Sequence, residues 1–264
     1  MPAFYAHHRF GEEVAQTLDG KLAEIIREHR VQFDIGLQGP DIFFFYRPHT
    51  GGGRVAKYGH HLHDISAFPF FEHAMEVVER KGVLGKEYAY LLGFICHYIL
   101  DSHCHGYIND MVKKTGVQHL EIEEEFEKWL LRLDGENPVA YPLARLIPCD
   151  DETAQAICPF YEDMTAAIVK QTLLDLRRVK KLLTAPGIVK QGLINTAFRF
   201  SRHYGELKGL MHQRKDNPKC RETSETLGRL FEEAVPVAAE MMKCFDESLR
   251  TGQQLPERFD RNFL

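Results

Sequence analysis

Two short segments carry side chains of the kind that hold metal ions: His97-Tyr-Ile-Leu-Asp101-Ser-His-Cys-His105 and His119-Leu-Glu-Ile-Glu123. On a helix, residues four apart stack one turn above each other. His97, Asp101 and His105 then share one face, and His119 and Glu123 share another. A carboxylate between two imidazoles, followed by a second His/Glu pair, can hold more than one divalent ion, and multinuclear sites of this sort usually perform hydrolysis. A lone pair at this spacing is more often a helix-surface hydrogen bond. Two pairs close together, one extended to a triple and set in an apolar helix, tip the balance, because a buried imidazole and carboxylate need a partner or a cation.

Zinc takes imidazole nitrogens and carboxylate oxygens, and catalytic zinc keeps one position open for water. His103 is a poorer ligand, since a continued helix turns it away from Asp101. Gly93 sits one turn before His97 and would let another backbone come close. Asp41 is the next candidate, in Gly36-Leu-Gln-Gly-Pro-Asp41-Ile-Phe-Phe-Phe-Tyr46, as a site acid or as a turn-stabilising residue. The Phe43–Tyr46 run reads more readily as core than as a ligand wall. His7, His8, His60, His61 and His63, each taken singly, read as structural or exposed. Of the 14 histidines, twelve fall at or before His119, so their work belongs to the N-terminal half.

The elements that must position these residues are helical. Residues 11–30 have apolar side chains at helical spacing, as do 64–82. A helix from about 86 to 105 or beyond is almost wholly apolar from Tyr88 to Ile95, which marks it as the buried central helix. Residues 118–132 form a shorter amphipathic helix. Residues 36–62 read as loop, rich in Gly and Pro. Asp150-Asp151 can cap a long helix to about 183, with Cys158-Pro159 as a break or kink. Pro186 opens another helix, and 221–250 form a last one containing Pro236. There is no strand alternation and no repeat. The fold class is all-α, with a core at 1–133, a proline-bearing connector at 134–150, and helices at 151–264 packing on the same domain.

The bulk numbers narrow the function. With 33 basic and 38 acidic residues, the net charge of -5 argues against a stable nucleic-acid complex, though a local basic groove stays open. Six cysteines form no CxxC pair, which fits reduced thiols in the cytoplasm. The opening residues lack the pattern of a secretion signal, and no apolar run is long enough for a transmembrane segment.

Taken in order, His7, Gly-Pro-Asp41, His63, His97-x3-Asp101, His105 and His119-x3-Glu123 resemble the bacterial zinc-dependent phospholipase C family, and more distantly its single-strand nuclease relatives. Tyr5-Ala-His-His-Arg-Phe-Gly11 and Leu91-Leu-Gly-Phe-Ile-Cys-His97 resemble an intracellular-looking branch of it. The resemblance covers residues 1 to about 130. It implies a multi-helix domain with two or three zinc ions. Asp41, His63, His97 and Asp101 would hold one, Asp101 would bridge to a second shared with His7, and His105, His119 and Glu123 would hold the third. Secreted members use an N-terminal tryptophan as a ligand, whereas the only tryptophan here is Trp129.

The expected reaction is attack of a metal-bound hydroxide on the phosphorus of a phospholipid or another phosphodiester, with Asp41 as ligand or general base. Peripheral membrane contact would go with a lipid substrate. Two other readings compete. His63-Asp64 resembles the doublet of HD-type metal phosphohydrolases, which would make Asp64 a ligand. The protein could also be a non-catalytic, metal-stabilised scaffold or lipid-binding module, to which the basic run Arg177-Arg-Val-Lys-Lys181 would contribute if it is more than a solvated face.

Overall fold

The structure is a computed structural model that describes residues 3–264. Among the described residues every regular element is helical. In chain order they are α1 (Phe4–Gln16), α2 (Gly20–Glu28), α3 (Arg30–Gly36), α4 (Gly53–Asp64), α5 (Phe68–Lys81), α6 (Lys86–Thr115), α7 (His119–Leu133), α8 (Asp151–Ile157), α9 (Ala166–Leu183), α10 (Ile188–Phe200), α11 (Tyr204–Leu207) and α12 (Arg221–Thr251). Short 3-10 segments join them, notably Gly39–Phe45, Lys208–Leu210 and Glu257–Phe259.

Helix α6 is the axis of the molecule. Glu87 in its first turn and Lys113 and Lys114 in its last complement the helix dipole, and Gly116 ends it in the left-handed conformation at φ +71°. From Glu87 to Asp101 every residue is buried, so this stretch shows no apolar stripe. The buried length packs against α1, α2, α3, α5, α7, α8 and α12. One continuous apolar core includes residues from α1 to the C-terminal segment. A small second cluster, Leu183, Ala185 and Met211, lies beneath α10.

Several elements differ from the sequence expectation. The periodic stretch 11–30 is divided between α1, α2 and the start of α3, because Asp19-Gly20 interrupts it with Gly20 at φ +58°. The expected loop 36–62 contains the 3-10 segment Gly39–Phe45 and most of α4. Three of its glycines, Gly51, Gly52 and Gly53, form the entrance to α4, all with positive φ. His63 is in the last turn of α4 and does not precede a helix that starts at 64. Asp150 does cap a helix, accepting from Thr153 N–H at 2.7 Å, but Cys158-Pro159 ends it after Ile157. The chain turns through residues 161–165 before α9 begins.

Helix α7 works on two sides. Its His119 and Glu123 face the cluster described below. Its other acids clamp the segment after α10. Lys208 Nζ lies 2.6 Å from Glu121, Gln213 N–H donates to Glu124 at 2.7 Å, Asn217 N–H donates to Glu125 at 2.7 Å, and His212 meets Glu127 at 3.0 Å. Gly209 is pressed on the start of α7; a Cβ there would fall 2.4 Å from the Leu120 carbonyl carbon.

Candidate metal centre

Five elements bring eight side chains together. His7 comes from α1, Asp41 from the 3-10 segment, His63 from α4, His97, Asp101 and His105 from α6, and His119 and Glu123 from α7. All but His119 are buried, and His97, Asp101 and His7 have no exposed surface. Close backbone packing sets the depth. A Cβ on Gly39, which has φ +48°, would fall 2.2 Å from the His97 ring, so only glycine lets the Asp41 segment lie on that imidazole.

Asp101 is at the middle. Its Oδ1 lies 3.2 Å from His7 Nε2, and its Oδ2 lies 3.4 Å from His97 Nε2 and 3.9 Å from His63 Nε2. Asp41 Oδ1 is 2.9 Å from His63 Nε2 and 4.0 Å from His97 Nε2. On the outer side, Glu123 Oε1 is 2.7 Å from His119 Nε2 and 3.6 Å from His105 Nε2. Three sets have ligand atoms within 4.8 Å of one another: Asp41/His63/His97, His7/His97/Asp101 and His105/His119/Glu123.

The tautomers follow from the surroundings. Nδ1 of His63 lies 2.8 Å from Gly59 O, Nδ1 of His97 lies 3.2 Å from Leu37 O, and Nδ1 of His105 lies 2.5 Å from Phe263 O. A ring that donates Nδ1–H to a carbonyl keeps an Nε2 lone pair for a cation, the usual outer support of a metal-binding histidine. His97 therefore has one nitrogen left, and only one of the two sets containing it can use that nitrogen.

Burial lowers the His105 pKa but Asp101 and Glu123 raise it to about 9, so a cation there must displace its proton; the other shifted groups already suit a cation. Burial pushes the His97 imidazole down to about 3, so it is neutral at pH 7. Burial would raise the Glu123 carboxyl, but His119 and His105 bring it down to about 2. Burial acts in the same direction on Asp41 and Asp101 and is again outweighed by the charges around them, imidazoles among them, leaving both ionised. The set also passes a test of fit. Nε2 of His63 and His97 and both nitrogens of His7 are buried without a hydrogen bond. Such atoms cost stability unless something binds them.

The residues set aside also have definite places. His103 turns outward to within 3.9 Å of Glu233 on α12. Asp64 is exposed, lines the cavity described below and belongs to none of the three sets, so the geometry does not group it with His63 as a ligand. His8 faces Glu12, and His60 stacks on Phe44 with ring centroids 4.2 Å apart. The Phe43–Tyr46 run divides. Phe43 is core, while Phe44 and Phe45 line a cavity of about 530 Å³ with His63, His105, His119 and Glu123 at its polar end.

The family model for zinc-dependent phospholipase C matches residues 6–172. The chain belongs to the zinc-dependent phospholipase C family. The matched span includes all eight clustered residues and continues into α9, beyond the motifs legible in the sequence. No curated protein and no solved structure matches the chain.

Sequence reasoning missed the carbonyls that orient the candidate ligand imidazoles. Leu37, Gly59 and Phe263 act through backbone atoms, so their identity carries no signal. It also missed Phe263 as a wall. This ring lies 4.9 Å from His63 and 5.8 Å from His97, brought there by a tail that pairs with Ala67 and His63 backbone.

Proposed function

We propose that this protein is a zinc-dependent phosphodiesterase of the phospholipase C type. It would cleave a phospholipid into a phosphorylated head group and an alcohol such as diacylglycerol. The observation that supports it best is the gathering of imidazoles and carboxylates from five elements, with four of these side chains, His63, His105, His119 and Glu123, lining one largely apolar cavity. A phosphodiester bearing long apolar substituents matches that combination of polar floor and aromatic wall. The free cysteines and the absence, among the described residues, of a helix able to cross a membrane are compatible with a cytoplasmic site of action.

Asp41, His63, His97 and Asp101 are the assigned donors for one zinc, His7 and Asp101 for a second, and His105, His119 and Glu123 for a third. Bound zinc would supply a Lewis acid for the phosphoryl oxygens and acidify water to a pKa of about 7. His119, partly exposed beside buried Glu123, puts the third set at the cavity and open to substrate. Asp101 keeps the first two sets together, with one oxygen toward His7 and the other toward His97. Asp41 has two possible duties, as a ligand or as the base that takes a proton on its carboxylate. Asp41→Asn separates them: loss of metal marks a ligand, and retained metal with lost turnover marks the base.

The test measures bound metal and hydrolysis of phosphatidylcholine and of a soluble chromogenic phosphodiester, with zinc and after chelation. Wild type should turn over both only when metal is present. Asp101→Asn should lose metal and turnover together. An Asp101→Asn protein that hydrolyses either substrate at the wild-type rate would overturn the reading.

A further inference from the structure

Helix α10 is apolar on two sides. Ile194 and Phe198 face inward onto Leu183, Ala185 and Met211. Val189, Leu193, Ala197 and Phe200 recur at helical spacing on the opposite side and are exposed. Val189 is 77 %, Leu193 68 % and Phe200 84 % exposed, and Ile188 and Leu182 lie open nearby at 75 % and 59 %. These are among the most exposed large apolar side chains described in the molecule. Water-facing apolar residues in this density mark a contact surface.

Within the segment that carries the stripe the charge has one sign, the next acid along the chain being Glu206 on α11. From residue 176 to residue 205 there is no aspartate or glutamate. Arg178, Lys181, Arg199 and Arg202 are exposed there, and Lys190 is partly so. This is a local reversal in a chain whose net charge is -5. Large apolar side chains rimmed by cations are the pattern of a helix that lies in the interface of an anionic bilayer. A second copy of the same face would set cation against cation. A nucleic-acid partner would engage the cations but leave the apolar stripe in water.

The position of α10 gives the surface a purpose. Val179 and Leu210 both pack on the cluster beneath α10 and line the cavity that ends at His105, His119 and Glu123. The segment following α10 is held by Glu121, Glu124, Glu125 and Glu127 of α7, the helix that carries His119 and Glu123. The docking face and the outer metal set are thus mounted on one support.

We infer that α10 and the end of α9 form a docking surface for an anionic phospholipid bilayer, which brings the cavity to the lipid. This extends the reading of the site as a lipid phosphodiesterase by naming the surface on which it works. The full chain is mixed with vesicles of phosphatidylcholine containing phosphatidylserine, and with vesicles of phosphatidylcholine alone, and bound protein is measured by sedimentation. Binding should favour the anionic vesicles and fall as salt is added. Leu193→Ser with Phe200→Ser should lower binding by about tenfold or more. These side chains leave the core untouched, so hydrolysis of a soluble, short-chain phosphodiester should stay at the wild-type rate.

Equal binding by the double variant, or no binding by wild type, would overturn the proposal. So would a wild-type dimer that the double variant dissolves, or RNA binding that the same vesicles fail to displace. Chelated protein and Asp101→Asn give the separate readout. If they still bind vesicles, docking stands whatever the fate of the hydrolase reading. If wild type turns over soluble substrate without binding vesicles, the hydrolase reading stands and the docking surface falls.

Discussion

Gly36 of α3 and Gly93 of α6 lie against each other's helices with no room for a side chain. A Cβ on Gly36 would fall 2.1 Å from Tyr90 O, and one on Gly93 would fall 2.1 Å from Phe33 O. The contact is backbone on backbone, so nothing flexible can yield. It fixes α3 against α6 one turn before His97, and it places Leu37 O where His97 Nδ1 meets it.

Gly93→Ala must therefore separate the two helices. The cost is expected at about 3 kcal/mol or more, at the upper end of overpacking in a closed core. The imidazole one turn on loses its carbonyl partner as well, so bound metal should fall with stability. Denaturant unfolding and metal analysis of the same preparation check this. A Gly93→Ala protein of wild-type stability and metal content would refute it.

Glu123→Gln tests whether the outer set binds independently. Glu123 meets His105 and His119, while the Asp41/His63/His97 set contains none of these residues. Elemental analysis of the variant should show one ion fewer per chain than wild type, with the remaining ions retained. Loss of every ion would mean that the sets fill as one unit.

Much of the site was legible because its chemistry is carried by side-chain type. His97, Asp101 and His105 are polar residues at one-turn spacing in an apolar helix, where burial makes them informative, and His119 and Glu123 repeat that spacing on an amphipathic helix close behind. Asp41 was a candidate on its own residues, with a turn-stabilising role as the ordinary alternative, and His7 and His63 were readable only through the ordered motif, since a single histidine has ordinary explanations. The helices around the site were less legible where glycine does two jobs. Gly51, Gly52 and Gly53 read as loop, yet they form the turn that starts α4, and Gly39 reads as a turn yet is needed for contact with His97. The docking face on α10 was hidden for another reason. Val189, Leu193 and Phe200 have the spacing of a core stripe, and only the packing tells which of two apolar sides faces water.

Metal removal should destabilise the fold measurably. A ligand that binds only the folded chain stabilises it by about 4 kcal/mol at a thousand times its dissociation constant. For a chain of this size that corresponds to a shift in Tm on the order of 10 °C. Thermal melts with excess zinc and after exhaustive chelation should differ by at least this much, because Nε2 of His63 and His97 and both nitrogens of His7 are otherwise buried without a hydrogen bond. Superimposable melts would show that the cluster is satisfied without a cation.

His212 gives the clearest pH dependence away from the candidate metal ligands. Its Nδ1 faces Pro138 O at 2.7 Å and its Nε2 faces the Glu127 carboxylate at 3.0 Å. Only the imidazolium can donate to both. Burial pulls its pKa down, but Glu127, Glu124 and the Pro138 carbonyl outweigh burial, and the result lies above the ordinary histidine value. A histidine raised in the folded state stabilises fully below its unfolded pKa of about 6.5, and the benefit disappears as pH rises through the higher folded value. Removing the ring also leaves Glu127 buried without this partner, so His212→Asn should cost about 3 kcal/mol at the acid end. Unfolding of wild type and variant, measured from about pH 5 to about pH 9, should show the gap narrowing as pH rises. The clamp between α7 and the segment after α10 loosens along with it. A gap that stays constant or widens would mean that His212 is held neutral, with one of its two acceptors served by something other than the ring.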